Sequence, residues 1–166
     1  MMAQVRKLSE PELWTRPSES KWAIGENLLH LNRTLPLFVR TLNLVTPFLY
    51  PFAWIYREKP YETTMADRMR SDDYKPLKTP PPLDPKQKRE SLDMIDQKFC
   101  AAMKAAREYF LSLDEAIAGN LKLPYPPTKR SISVLQLSCT LGYHEQHHFR
   151  AMARIHISLS IPGVSD

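Results

Sequence analysis

A small all-α helical bundle is the fold this sequence predicts, and three observations carry that reading. Apolar residues recur every three or four positions over three long stretches, which is the helical period. Proline-rich segments punctuate those stretches. No convincing strand, internal repeat, coiled-coil heptad or glycine-rich phosphate loop lies between them, which disfavours an α/β enzyme. At 166 residues the chain can bury one hydrophobic core, so residues 1–166 are read as a single domain.

The first element, from about Val5 to Leu13, is short and has Pro11 near its end, so little core is expected from it. A stronger helix begins near Ser20 or Lys21, with Ser20 as the candidate cap. Its inner face reads Ala23, Asn27, His30, Thr34, Leu37, Thr41 and Val45. Pro36 lies inside this pattern, and a kink or break is expected about one turn after His30.

From Pro47 to Pro85 the composition changes, first to the aromatic PFLYPFAWIYREKPY and then to DDYKPLKTPPPLDP, an extended spacer with polyproline character. Residues 57–86 are read as a long connector, more than a turn between antiparallel helices needs. The third helix is expected from Pro85 to Ala118, with Leu92, Ile95, Phe99, Ala102, Ala106, Phe110, Leu113 and Ile117 facing inward and Gly119–Asn120 ending it. After LKLPYPPTKR, a fourth helix should begin near Ser131. Its stripe is Val134, Leu137, Leu141, His144, His148, Ala151, Ile155 and Leu159, closed by Pro162 and Gly163.

Composition narrows the function. Hydrophobic residues make up 43% and charged residues 25% of the chain, which fits neither a disordered nor a membrane protein. The N-terminus lacks the apolar run of a secretory signal, and Cys100 and Cys139 are the two cysteines, so a cytoplasmic protein with reduced thiols is expected. The net charge of +5 is dispersed; Lys86, Lys88 and Arg89 beside Glu90 form its tightest group, and no recognition pattern makes nucleic acid the expected partner.

The chemistry-bearing residues are histidines. His144 and His148 are one turn apart in LGYHEQHHFR, about 40° apart around the helix, and can face one metal ion. Both sit mid-stripe, where burial of an imidazole costs free energy unless it is paired or coordinated. The competing explanation is a pair of core histidines satisfied by hydrogen bonds. His30, inward on another helix, supplies the third ligand of a site that keeps positions open for water or substrate. Three imidazoles suit nickel or zinc, and also cobalt or copper.

Glu145 and His147 flank the ligands and are the candidate acid and base, weighed against solvent-exposed helix polarity. Glu26, one turn before His30, is read the same way. His144, Glu145 and His148 also spell HExxH, yet a peptidase needs a substrate cleft with an edge strand, which this chain lacks in prospect. His156 is expected at the surface or boundary. Cys100 and Cys139 fall off the metal-facing stripes and are read as packed or inert.

The motifs WAIGENLLHL and GYHEQHHFRAMARI, with the proline-rich connectors, resemble the DinB/YfiT-like family over roughly Trp22 to Leu159. The resemblance implies a four-helix bundle of up-down-down-up type and a divalent-metal site of His30, His144 and His148. It further implies activity on a small molecule, as a thiol-dependent transferase or a hydrolase, with a low-molecular-weight thiol as cofactor. The sequence departs from the family pattern twice. Its first helix is shortened or missing, which favours a homodimer completing the bundle, and Ala151 stands where relatives often carry glutamine. A noncatalytic metal-binding or interaction bundle, using Trp54 and Tyr56, is the alternative; DNA binding and peptidase activity rank below it.

Overall fold

The computed structural model describes residues 2–63, 79–85, 89–125 and 130–160. The closing Pro162–Gly163 signal, Lys86 and Lys88, and the first half of the polyproline spacer, residues 72–78, lie outside the described residues. Three long helices dominate. They are α3 (Ile24–Ile55), α4 (Leu92–Leu111) and α6 (Val134–Ser160), accompanied by the short α1 (Met2–Val5), α2 (Glu10–Trp14) and α5 (Glu115–Asn120).

Helix directions follow from side-chain pairs. Asn32 Nδ2 donates to the Ile95 carbonyl at 2.9 Å, and Thr46 is hydrogen-bonded to the Tyr109 hydroxyl. The two partners advance together along the chain, so α3 and α4 run parallel. Parallel neighbours need a connection that returns the length of the bundle, which accounts for the long crossing between them. Asn27 pairs with His148, and Leu31 and Leu35 face Leu141, so α6 runs antiparallel to α3.

The α3 helix corrects two expectations. It starts at Ile24 after Ala23, where the Glu26 carboxylate accepts the Ala23 N–H at 2.9 Å, so Ser20 is not its cap. It also runs unbroken for 32 residues through Pro36, Pro47 and Pro51. All three prolines are exposed and fall within about 60° of one another around the helix. The hydrogen bonds they delete are therefore on the solvent side, where carbonyls can tilt toward water without breaking the rod. The expected inner face holds from Ala23 to Thr34 and then fails: Leu37 and Thr41 are exposed and Val45 is half-buried, while Leu35, Val39, Leu42, Thr46 and Ala53 take the core.

The third predicted helix is two. Ser91 caps α4, whose start is thus later than Pro85, and the chain turns at Ser112 to Asp114 before α5. The Asp114 carboxylate accepts the Ala116 and Ile117 N–H groups at 2.9 and 3.3 Å and nucleates the new helix. Gly119 does belong at the end, for a steric reason: a Cβ there would lie 2.3 Å from the Tyr61 ring.

The absence of strands is also corrected. β1 (Lys122–Tyr125) and β2 (Arg130–Ser133) form an antiparallel hairpin with Leu123 opposite Ile132. Pro124 is tolerated because each strand of a two-stranded sheet has an open edge. Ser133 and Gln136 then exchange hydrogen bonds, N–H to side chain in both directions at 3.0 and 3.1 Å, and this reciprocal cap starts α6 three residues beyond Ser131.

The N-terminal segment contributes more core than expected. Ser9 and Glu12 form a capping box on α2. Val5, Leu13 and Trp14 are buried with Ile24, Leu28, Leu29, Ile95, Met152 and Ile155 in one apolar cluster. A second cluster joins α3, α4, α5, the hairpin and the start of α6 through Leu35, Leu42, Tyr109, Leu121, Val134 and Leu141. A polar centre lies between the two.

Candidate metal centre

Antiparallel packing brings His30 of α3 against His144 and His148 of α6. The Nε2 atoms of His30 and His148 each lie 3.2 Å from Nε2 of His144, and one nitrogen from each ring falls within 4.8 Å of the others. Three nitrogens on a tetrahedral ion, each about 2.0–2.1 Å from it, would be about 3.3 Å apart. Two of the three separations match that spacing, and the third, within 4.8 Å, would close onto an ion by a small turn of the rings.

Proton bookkeeping argues the same way. His30 Nδ1 is 3.0 Å from the Leu83 carbonyl, which can only accept, so the proton sits on Nδ1 and the Nε2 lone pair faces inward. His148 Nδ1 is 2.8 Å from Asn27 Oδ1, and Asn27 Nδ2 donates to the Ala23 carbonyl at 2.8 Å, which turns Oδ1 toward the imidazole. His148 is thereby fixed in the same tautomer. His144 Nε2, between two acceptors, can donate to only one of them, and its own Nδ1 is buried with no partner among the described residues. A cation at the convergence satisfies all three Nε2 lone pairs at once; without one, the single proton of His144 Nε2 serves only one neighbour, and the other donor within reach is the Thr34 hydroxyl, 3.4 Å from His30 Nε2 but committed at 2.8 Å to the His30 carbonyl.

The surroundings keep the imidazoles neutral. Burial, reinforced by the neighbouring rings, lowers His148 to about 2 and His144 to about 4, and burial also lowers His30. Trp22 covers one side, its ring 5.0 Å from that of His30 and stacked 6.1 Å from that of His148. The loop before α3 is anchored by Arg16, whose guanidinium grips both carboxylate oxygens of Glu26 at 2.6 and 2.7 Å. Glu26 is 3% exposed, so it is a buried structural anion and not the solvated helix charge expected.

The two acid–base candidates are placed differently. Glu145 is half-buried, and burial raises its carboxyl above the ordinary range. It lines a narrow cleft with His144, Thr34, Leu31, Leu35 and Leu141. His147 is exposed on the other flank, its ring edge-on to that of His148 at 5.4 Å. His156 is half-buried, one of its expected settings. Cys100 is exposed and Cys139, half-buried, leans toward the Thr63 carbonyl; neither is among the groups at the centre. The hairpin ends eleven residues before His144, about 16 Å along α6, so it offers no edge strand to a peptide at the histidines. A roomier apolar cleft among the described residues, between α1 and α6 at Val5, Ile24 and Met152, touches none of the three histidines.

Sequence reasoning located the three imidazoles but missed Trp22 as their cover and Leu83 as a proton acceptor. Asn27 carried a signal, a polar side chain on the inward stripe one turn before His30. The Leu83 carbonyl carried none, because a backbone acceptor leaves no mark in residue type.

A mostly helical bundle whose central helices converge three histidines defines a class of protein with a group that could hold a metal ion. Within that class the chain belongs to the DinB superfamily, whose family model matches residues 1–152. No match was found among curated proteins or among solved structures. No helix among the described residues is long and apolar enough to cross a membrane.

Proposed function

We propose that the chain is a divalent-metal-dependent enzyme acting on a small molecule, with His30, His144 and His148 as ligands to nickel or zinc. The observation that carries this reading is the convergence of three Nε2 atoms, two of them held as lone-pair donors by Leu83 O and Asn27 Oδ1. A divalent ion bound by three neutral imidazoles keeps its full charge and an exchangeable position, and so supplies Lewis acidity.

The chain's own groups supply the remainder. Asn27 and the Leu83 carbonyl orient two rings, and Trp22 keeps water from one side of them. The cleft beside His144 is too narrow to admit a water molecule as it stands, so a substrate enters only where its walls part. Its apolar walls, Leu31, Leu35 and Leu141, would hold the carbon portion beside the Glu145 carboxyl. Glu145 carries a proton to or from the reacting group, and His147 exchanges protons with solvent at the rim. The nucleophile is an external low-molecular-weight thiol or water, since neither Cys100 nor Cys139 is at the centre.

The test is metal content per chain after dialysis, on protein purified without a metal-affinity column. Near-stoichiometric nickel or zinc in the wild type and its loss in a folded His144→Ala variant are expected. Equal retention in both would sink the ligand assignment. Metal-loaded protein without turnover on thiol–electrophile pairs or activated esters would leave a noncatalytic metal-binding bundle.

A further inference from the structure

Thr34 is the hydroxyl of the cleft beside the metal centre. It sits one turn after His30 on α3, is 5% exposed, and lines that cleft with His144 and Glu145. Its Oγ1 donates to the His30 carbonyl at 2.8 Å, the local bond a helical threonine makes to the residue four back, and this bond fixes the side-chain rotamer. The same oxygen lies 3.4 Å from His30 Nε2. Two vertices of a tetrahedral shell of nitrogens are about 3.3 Å apart, so the hydroxyl stands at the edge of the space that an ion and its exchangeable ligand would share.

The direction of the hydrogen bonds gives this placement its meaning. A hydroxyl has one proton and two lone pairs, and the proton of Thr34 is committed to the carbonyl. His30 Nε2 has no proton to return, because the Leu83 carbonyl holds the ring's proton on Nδ1. Among the described residues no other donor reaches Oγ1, so a buried acceptor is left facing the centre.

We propose that Thr34 selects what occupies the exchangeable position, accepting a hydrogen bond from a ligating atom that carries hydrogen and turning a lone pair against one that carries none. Resting on the metal-dependent reading above, this favours water over a thiolate as the nucleophile, and hydrolysis over thiol transfer. In hydrolysis the water oxygen bonds the electrophilic carbon, the carbon–leaving-group bond breaks with its electron pair, and the proton that the water releases passes through the Glu145 carboxyl to the leaving group. To donate to a thiolate instead, the hydroxyl would have to leave the His30 carbonyl. That exchange costs about one hydrogen bond, about threefold to tenfold in affinity.

The test uses the full chain loaded with cobalt(II), whose visible absorption changes when its exchangeable ligand changes. Wild type, Thr34→Val and Thr34→Ser are titrated with ammonia, azide and β-mercaptoethanol. Valine keeps the shape of the side chain and lacks the acceptor. In Thr34→Val, azide and the thiolate, whose ligating atoms carry no hydrogen, should bind about threefold to tenfold more tightly. Ammonia displaces a water that loses the same contact, so its affinity should stay within about twofold. A general loosening of the cleft would move all three together. Thr34→Ser, which keeps the hydroxyl, should follow the wild type. Equal shifts for the three probes, or none, overturn the role of Thr34 and leave the metal centre in place. Loss of cobalt from a folded Thr34→Val chain would make the hydroxyl a ligand and overturn it as well. A wild type that binds no cobalt removes the metal-dependent reading, and this proposal with it.

Discussion

The side-chain oxygen of Asn27 lies 2.8 Å from Nδ1 of His148, and the Asn27 amide is itself held by the Ala23 carbonyl, so a residue at the start of α3 sets the proton on an imidazole 121 positions later. Both groups are buried. Asn27→Leu should therefore leave the fold in place but lower the affinity for a divalent ion about 10- to 100-fold, as loss of a ligand's outer hydrogen bond usually does. Asn27→Asp keeps an acceptor and should retain most of the affinity. Competition titration against a chromophoric chelator checks both; equal affinities in wild type and Asn27→Leu would mean that the contact does not tune the site.

A second expectation concerns acid. Burial holds His148 near 2 and His144 near 4, both below the ordinary 6.5, and lowers His30 as well. The unfolded chain then binds more protons than the fold at pH values below about 6.5, so metal-free stability rises with pH there and falls on acidification. From pH 6.5 down to about 4, each imidazole that stays neutral in the fold weakens folding about tenfold per pH unit. Urea titrations of metal-free protein between those values should show the midpoint falling steadily. Bound metal steepens the loss, because protons also displace the ion. A flat midpoint would contradict neutral burial of the rings.

Gly25 supplies a steric prediction. A Cβ at this position would lie 2.6 Å from the Trp14 ring, which is itself packed among Ile24, Leu28 and Leu29. The ring cannot swing aside cheaply, so Gly25→Ala should destabilise by about 1–3 kcal/mol through overpacking. Trp14→Leu in the same chain opens space and should recover part of the loss, a coupling measurable as a double-mutant cycle in urea. Additive effects of the two substitutions would show that the ring and the glycine do not constrain each other.

These relationships also mark how far the sequence could be read. The stripes of α4 and α6, and the three histidines, were legible because apolar spacing persists over many turns and the imidazoles interrupt it at inward positions. Pro36, on the exposed edge of α3 that Pro47 and Pro51 share, read as a kink or break, since sequence does not say which side of a helix meets water. The turn at Ser112–Asp114 was hidden by an apolar period that Leu113 and Ile117 carry straight across it. Four-residue strands were too short to show alternation. Arg16 and Glu26 meet through an irregular loop, so no period joins them, and the burial of Glu26 could not be foreseen.

The role of Glu145 separates an enzyme from a metal store. Its carboxyl lines the cleft beside His144 and is raised by burial, which moves it toward the pH at which a group can both take and release a proton. Glu145→Gln keeps size and hydrogen bonding but cannot titrate. Metal content should therefore stay at the wild-type level while kcat falls by about 10²–10⁴ on any substrate that the loaded protein turns over. The acidic limb of the wild-type kcat/KM profile should sit above the usual carboxylate range, and it should vanish in the variant. His147→Gln, which alters an exposed group off the cleft, should cost far less, within about tenfold. Full turnover in Glu145→Gln would remove this carboxyl from the chemistry and leave the proton transfer to His147 or to solvent. Lost metal in the same variant would instead make Glu145 a support for His144, a result that elemental analysis distinguishes from a catalytic defect before any rate is measured.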